Sequence, residues 1–234
     1  MQIVQSVILM ALPALLASKF AFGKYFEPLR LKKPNTTDLL LAFAFAFLVL
    51  PAIAMFTNLN NAVHLPDFMN GFEVWARAKE SEIAVLTEQM LAADSINGLI
   101  INIIIIALGA AVGEELLFRG FIQKVFETKM NYHLAIWITA FIFAAIHVQF
   151  LGIVPRMLLG AAFGYMAVWS GSLWLPVLAH FTNNAIGIVG FYLNHNNIVG
   201  VETDHFSYSI GIFSLFASLL ILFLIKKKGL NHYS

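Results

Sequence analysis

Apolar residues in this chain gather into long runs, and the polar stretches between them mark where each run ends. Seven runs approach the roughly 20 mostly apolar residues a helix needs to cross a bilayer, at about 3–22, 38–57, 97–118, 133–151, 155–171, 174–194 and 206–225. A helix satisfies its own backbone polar groups in lipid, so the pattern predicts an all-α, polytopic membrane protein with about seven transmembrane helices. The segment 60–94 is too polar to span. Within it Phe72, Trp75, Ala76, Lys79, Ile83 and Leu86 recur at helical spacing, which predicts an amphipathic helix on the outer surface. Three parts follow: 1–96, a pair of spans plus the amphipathic segment; 97–194, a helical core; and 195–234, a last span with a basic tail.

Composition strengthens the membrane reading. The chain is 60% hydrophobic and 12% charged, with a mean hydropathy of +0.81, where a soluble domain has about 25% charged residues. The absence of cysteine removes disulfides, thiolate metal sites and a cysteine nucleophile. Membrane lipids are the expected partners, with no nucleic acid; nothing in the sequence addresses oligomeric state.

Charge placement predicts orientation. The first connection carries Lys19, Lys24, Arg30, Lys32 and Lys33, the third Lys124 and Lys129, and the tail Lys226, Lys227 and Lys228. The second carries Asp67, Glu73, Glu80, Glu82, Glu88 and Asp94 against Arg77 and Lys79, and the sixth Glu202 and Asp204. The positive-inside rule then predicts an N-terminus outside and a C-terminus in the cytoplasm. No basic residue precedes the first run, which is therefore expected to be a retained span and not a signal peptide.

Against this background Glu114, Glu115 and Arg119, at the end of the run Ile100 to Val112, stand out. A carboxylate at bilayer depth costs roughly 2.5–3.5 kcal/mol on insertion scales, and such residues tend to be functional or internally paired. On a helix Glu115 and Arg119 stand four apart and can pair, whereas Glu114 points about 100° away and has no such local partner. A solvated helix end carrying an ordinary surface pair is the plainer alternative. Two later stretches weigh against it, because Phe143 to His147 and His180 to Asn184 also put polar side chains into apolar spans. His180 and Asn184 share one helix face and can reach one ligand. A lone histidine in an apolar helix more often bonds a neighbouring backbone group, and Thr182 and Asn183 are assigned to helix packing. His64, His133, His195, His205 and His232 fall in loops, at an interface or in the tail, and Gly160 and Gly164 suit close helix contact. Trp137, Trp169, Trp174 and Tyr165 are expected to serve packing or interfacial anchoring.

Taken together, Glu114-Glu115 with Arg119 as EExxxR, Phe143 to His147 as FxxxH and His180 to Asn184 as HxxxN, in that order, resemble the CAAX protease and bacteriocin-processing (CPBP, or ABI) family of intramembrane endopeptidases. Gly171 to Pro176 also resembles that family's lead-in to its third motif, and the similarity covers roughly residues 97–194. The resemblance implies a catalytic helical core that takes a hydrophobic, lipidated or membrane-associated peptide as substrate and in which Glu114 is the general base for water, helped by His147. It implies that His180 and Asn184 donate to the oxyanion, with Glu115, Arg119 and Phe143 supporting.

Two histidines and a glutamate would also make a plausible zinc set; spacing does not decide the question, and a metal-free site is favoured. With straight alternating spans His147 and His180 would lie towards opposite bilayer faces, so they can meet only if helices are tilted or broken or if 155–171 does not cross fully. Two other functions remain open: a non-proteolytic scaffold or bacteriocin self-immunity protein of the same fold, and a proton-coupled transporter relaying through Glu114, His147 and His180. The transporter lacks the inverted repeats that would support it.

Overall fold

The structure, a computed structural model, describes residues 10–25, 29–198 and 207–230. The predicted span positions 3–9 and 206, the acids Glu202 and Asp204, and His205 and His232 lie outside the described residues. In chain order the helices are α1 (Leu12–Phe22), α2 (Thr36–Leu48), α3 (Leu50–Asn61), α4 (Asn70–Leu91), α5 (Ile96–Glu127), α6 (Tyr132–Ala145), α7 (Ile153–Ser170), α8 (Trp174–His195) and α9 (Tyr208–Leu230).

This is an all-helical, integral membrane protein. Among the described residues, four stretches are long and apolar enough to cross a bilayer: Thr36–Asn61, which joins α2 and α3, Ile96–Glu127, Ile153–Ser170 and Tyr208–Gly229. Helices α1 and α6 are apolar but shorter. Helix α8 has 22 residues, and its polar group His180, Thr182, Asn183 and Asn184 lowers its hydropathy.

Local chemistry explains the departures from straight spans. The second predicted run is interrupted at Val49 because Pro51 cannot donate a backbone hydrogen bond and crowds the preceding turn. Ser214 of α9 repairs the break: its hydroxyl donates to the Leu48 carbonyl and accepts from Ala52 N at 3.0 Å. Helix α5 continues for 32 residues, roughly 48 Å at 1.5 Å per residue, and widens into π-helical turns at Ile103–Leu108 and Leu116–Ile122. The second π stretch begins directly after Glu115 and contains Arg119. Helix α6 stops at Ala145, short of the predicted 151, while α7 runs unbroken, so it is the early end of α6 and not an incomplete seventh helix that keeps His147 near the core.

Helices α6 and α7 pack at close range across Gly160 and Gly164. A Cβ on Gly164 would lie 2.7 Å from Gln123 Oε1 and 2.9 Å from Ile136 Cγ2, and one on Gly160 would lie 3.1 Å from Arg119 Nη2. The small residues read from sequence as packing positions thus make room for polar side chains of α5.

The basic segments collect at one end of the bundle. Arg30 pairs with Glu127 at the end of α5, Lys228 of α9 with Asp38 at the start of α2 at 3.0 Å, and Ser172 Oγ donates to the Lys32 carbonyl at 2.6 Å. Helix α4 lies at the other end, where Phe72 and Trp75 pack on Phe150, in the turn that joins α6 to α7. Glu73 anchors this helix, accepting from Leu65 N at 2.7 Å and from Arg77 Nη2 at 2.7 Å, with His64 Nδ1 at 3.2 Å. The Leu65 backbone amide, aided by Arg77, draws the Glu73 carboxyl down from 4.5 to about 2.

Two predictions follow from the packing. Gly164→Val should destabilise the protein by about 1–3 kcal/mol, since both obstructing atoms are themselves packed; thermal unfolding in detergent reads this. Glu73 is ionised when folded over a range where the unfolded carboxyl is protonated, so its stabilisation is complete above about pH 5 and is lost towards pH 2. Unfolding of Glu73→Gln should accordingly show a weaker pH dependence over that interval than the wild type, and identical slopes would contradict the anchor.

Candidate active site

The site is built around a carboxylate–guanidinium pair with no solvent exposure. Glu115 and Arg119 are each 0% exposed and sit one turn apart on α5, with Arg119 Nη1 donating to Glu115 Oε1 at 2.9 Å. Arg119 Nη2 donates to the Gly160 carbonyl at 3.0 Å, and a Cβ on Gly160 would crowd it, lying 3.1 Å from Nη2 and 3.2 Å from Phe143 Cδ1. The face of the guanidinium is covered by rings: its Cζ lies 4.4 Å from the Phe143 centroid, 5.6 Å from Phe163 and 6.0 Å from Phe118.

His180 of α8 reaches the same carboxylate, placing Nδ1 2.8 Å from Glu115 Oε1. The acceptor there is a carboxylate, so Nδ1 carries the proton. The ring is stacked on Phe163 at 5.2 Å and is nearly buried. Its other nitrogen, Nε2, lies 3.8 Å from Glu114 Oε2, a separation for an electrostatic contact and longer than a hydrogen bond. Glu115 Oε1 is therefore engaged by both Arg119 and His180, while Glu114 approaches His180 at a longer distance.

His147 follows the end of α6. Its Nδ1 lies 2.7 Å from the Phe143 carbonyl oxygen, which can only accept, so Nδ1 donates and the neutral ring has its lone pair on Nε2. Phe143 joins the parts: its ring meets His147 at 4.9 Å, His180 at 6.2 Å and Phe118 at 5.2 Å between centroids. Asn184, one turn beyond His180 on α8, is half-buried, and the neighbouring Asn183 has a buried Oδ1 with no partner.

Of the residues singled out from sequence, the fold thus brings together Glu114, Glu115, Arg119, Phe143, His147 and His180, and it puts Asn184 on the same helix as His180. His64 instead belongs to the Glu73 anchor and His133 bonds Tyr165 at 2.9 Å, both away from this cluster.

Sequence reasoning missed Arg156, at the start of α7. Its Nη2 donates to Gln149 Oε1 at 2.6 Å, and it interacts electrostatically with Glu114 and with Glu80 of α4. The signal was present, because Arg156 is the one charged residue of the apolar run 155–171, and the cost argument applied to Glu114 applies equally to it. Phe163 and Gly160 carried no signal beyond being apolar and small; their roles depend on which face α7 turns to α5 and α8.

The donor arrangement bears on metal binding. Among the described residues no group of three or more His, Asp or Glu side chains is placed to hold a metal ion. One nitrogen of His180 is committed to Glu115 and one nitrogen of His147 to a backbone carbonyl, so a shared ion would have to be met by the remaining Nε2 atoms and Glu114.

Comparison with known proteins points to the same segment. Residues 96–186 match the model of the type II CAAX prenyl endopeptidase Rce1-like family. An uncharacterized protein of Bacillus subtilis (strain 168), YpbD, is 35% identical over 89 residues, 36% of this chain and 43% of its own length. An uncharacterized 24.3 kDa protein of Escherichia coli is 32% identical over 108 residues, 43% of this chain and 49% of its own. The matches therefore span about half the length of these relatives or less. No solved structure matches the chain. The matched residues run from the first turn of α5 to the middle of α8 and contain Glu114, Glu115, Arg119, Phe143, His147, His180 and Asn184, so the segment that carries the candidate site is the one similar to the Rce1-like CAAX endopeptidase family.

Proposed function

We propose that this protein is an intramembrane endopeptidase that hydrolyses a peptide bond of a hydrophobic, lipidated or membrane-associated peptide with water activated by Glu114. The observation that carries this reading is the unequal state of two adjacent acids: Glu115 is bonded to Arg119 and His180, while Glu114 faces His180 Nε2 at 3.8 Å and keeps its oxygens free for a substrate water. The family match over residues 96–186 supports the reaction class.

In this mechanism Glu114 takes one proton from water while His147 Nε2 accepts a hydrogen bond from the other O–H, which stays on the attacking oxygen. The water oxygen bonds to the scissile carbonyl carbon, and the resulting oxyanion is met by the Asn184 amide and by His180 when Nε2 carries a proton. Collapse breaks the carbon–nitrogen bond, and Glu114 returns its proton to the leaving nitrogen. Arg119 and Glu115 act through position: they fix the π turn of α5 and hold His180 in one orientation. The basic end of the bundle supports a cytoplasmic C-terminus and an outer position for α4.

The test is cleavage of a quenched-fluorescence membrane-peptide library by purified protein. Glu114→Gln should lower kcat by about 10²–10⁴-fold, and His147→Ala should reduce it less. Activity that survives a chelator is the expected result, whereas loss on chelation with rescue by zinc would make the protein a metalloenzyme. If no peptide is cleaved and Glu114→Ala still complements a deletion strain, the peptidase reading fails in favour of a scaffold or self-immunity role.

A further inference from the structure

Helix α7 turns Gly160, Phe163 and Gly164 towards α5 and the candidate site, and its opposite face lines a separate cavity of about 510 Å³ shared with α2, α3 and α9. The walls are almost wholly apolar. Along α9 the lining runs from Leu215 to Lys226, which at 1.5 Å per residue is roughly 17 Å. That is close to one leaflet, half of a hydrocarbon core about 30 Å thick.

Polar groups mark only part of this groove. At one end Lys226 Nζ stands 5.6 Å from the Trp169 ring centroid, and among the described residues no carboxylate pairs with it, unlike Lys228, which is held by Asp38. Trp169 Nε1 is a buried donor with no partner. About two helical turns deeper, Ser218 Oγ is likewise buried and unpartnered. A buried donor without an acceptor costs free energy, so two of them along a groove with a cation at its mouth describe a ligand with an anionic head, polar linkage and apolar tail.

We propose that this groove binds one acyl chain of an anionic phospholipid, with the phosphate against Lys226 and Trp169 Nε1 and the ester linkage towards Ser218. The Lys226–Trp169 end of the groove lies where the basic segments gather, the side on which an anionic leaflet is expected. The site does not depend on the peptidase reading, since none of the groups assigned to catalysis lines it.

Native mass spectrometry of the full-length protein in detergent, titrated with phosphatidylglycerol and with phosphatidylcholine of matched chains, tests this. The expected result is one retained phosphatidylglycerol per chain, preferred about fivefold over phosphatidylcholine. Lys226→Gln should abolish the preference, Lys227→Gln should leave it, and Leu219→Trp, which fills the groove from a half-exposed position, should weaken retention of both lipids. Equal retention of the two lipids by the wild type, a preference that persists in Lys226→Gln, or unchanged retention in Leu219→Trp would each overturn the site. Retention of oleate in place of either phospholipid would overturn the assignment of the occupant.

Discussion

The Glu115–Arg119 pair of α5, closed off from solvent by α6, α7 and α8, is the constraint on which the rest of the core depends. Two charges taken out of water each cost several kcal/mol, and their mutual attraction offsets this only when the remaining donors and acceptors are also met. The surroundings meet them in part: the Gly160 carbonyl takes one guanidinium nitrogen, His180 bonds one carboxylate oxygen, and the rings of Phe118, Phe143 and Phe163 cover the cation, while Glu115 Oε2 and Arg119 Nε stay buried without a hydrogen-bond partner. Apart from Phe118 of α5 itself, these residues lie on three other helices, Phe143 on α6, Gly160 and Phe163 on α7 and His180 on α8. The pair therefore registers α5 against α6, α7 and α8 at one depth.

From that registration the site follows. The π turn beginning after Glu115 accompanies the change of helix face that sends Arg119 towards α7 while Glu114 looks elsewhere. His180 lies between the acids, bonded to one and close to the other, so its orientation is inherited from the buried pair. His147 joins through Phe143, whose carbonyl sets the tautomer and whose ring borders the guanidinium. The groups of the proposed chemistry are thus held by a few contacts to residues that take no part in it.

Much of this was legible in the sequence, for physical reasons that also explain what was not. Charged residues in apolar runs are costly, so Glu114, Glu115 and Arg119 announced themselves, and i,i+4 spacing identified which acid would pair. Helix ends were less readable. Hydropathy alone extended the fourth run to 151, because Ile146, Val148, Phe150 and Leu151 are apolar, although the chain leaves the helix after Ala145. Nor did hydropathy show that the run 38–57 is interrupted at Val49 and bridged by Ser214, which accepts from Ala52 N 162 positions away. Long-range partners such as Gly160 for Arg119 have no local signature, whereas Arg156 had one.

The central claim is a division between two adjacent acids, one holding the fold and one free for chemistry, and thermal unfolding of Glu114→Gln and Glu115→Gln in the same detergent tests it most directly. Glu115→Gln leaves a buried guanidinium without its counter-charge and should cost about 3–5 kcal/mol. Glu114→Gln breaks no hydrogen bond seen in the structure and should unfold at or above the wild-type temperature. Equal losses in the two variants, or a larger loss in Glu114→Gln, would contradict the account.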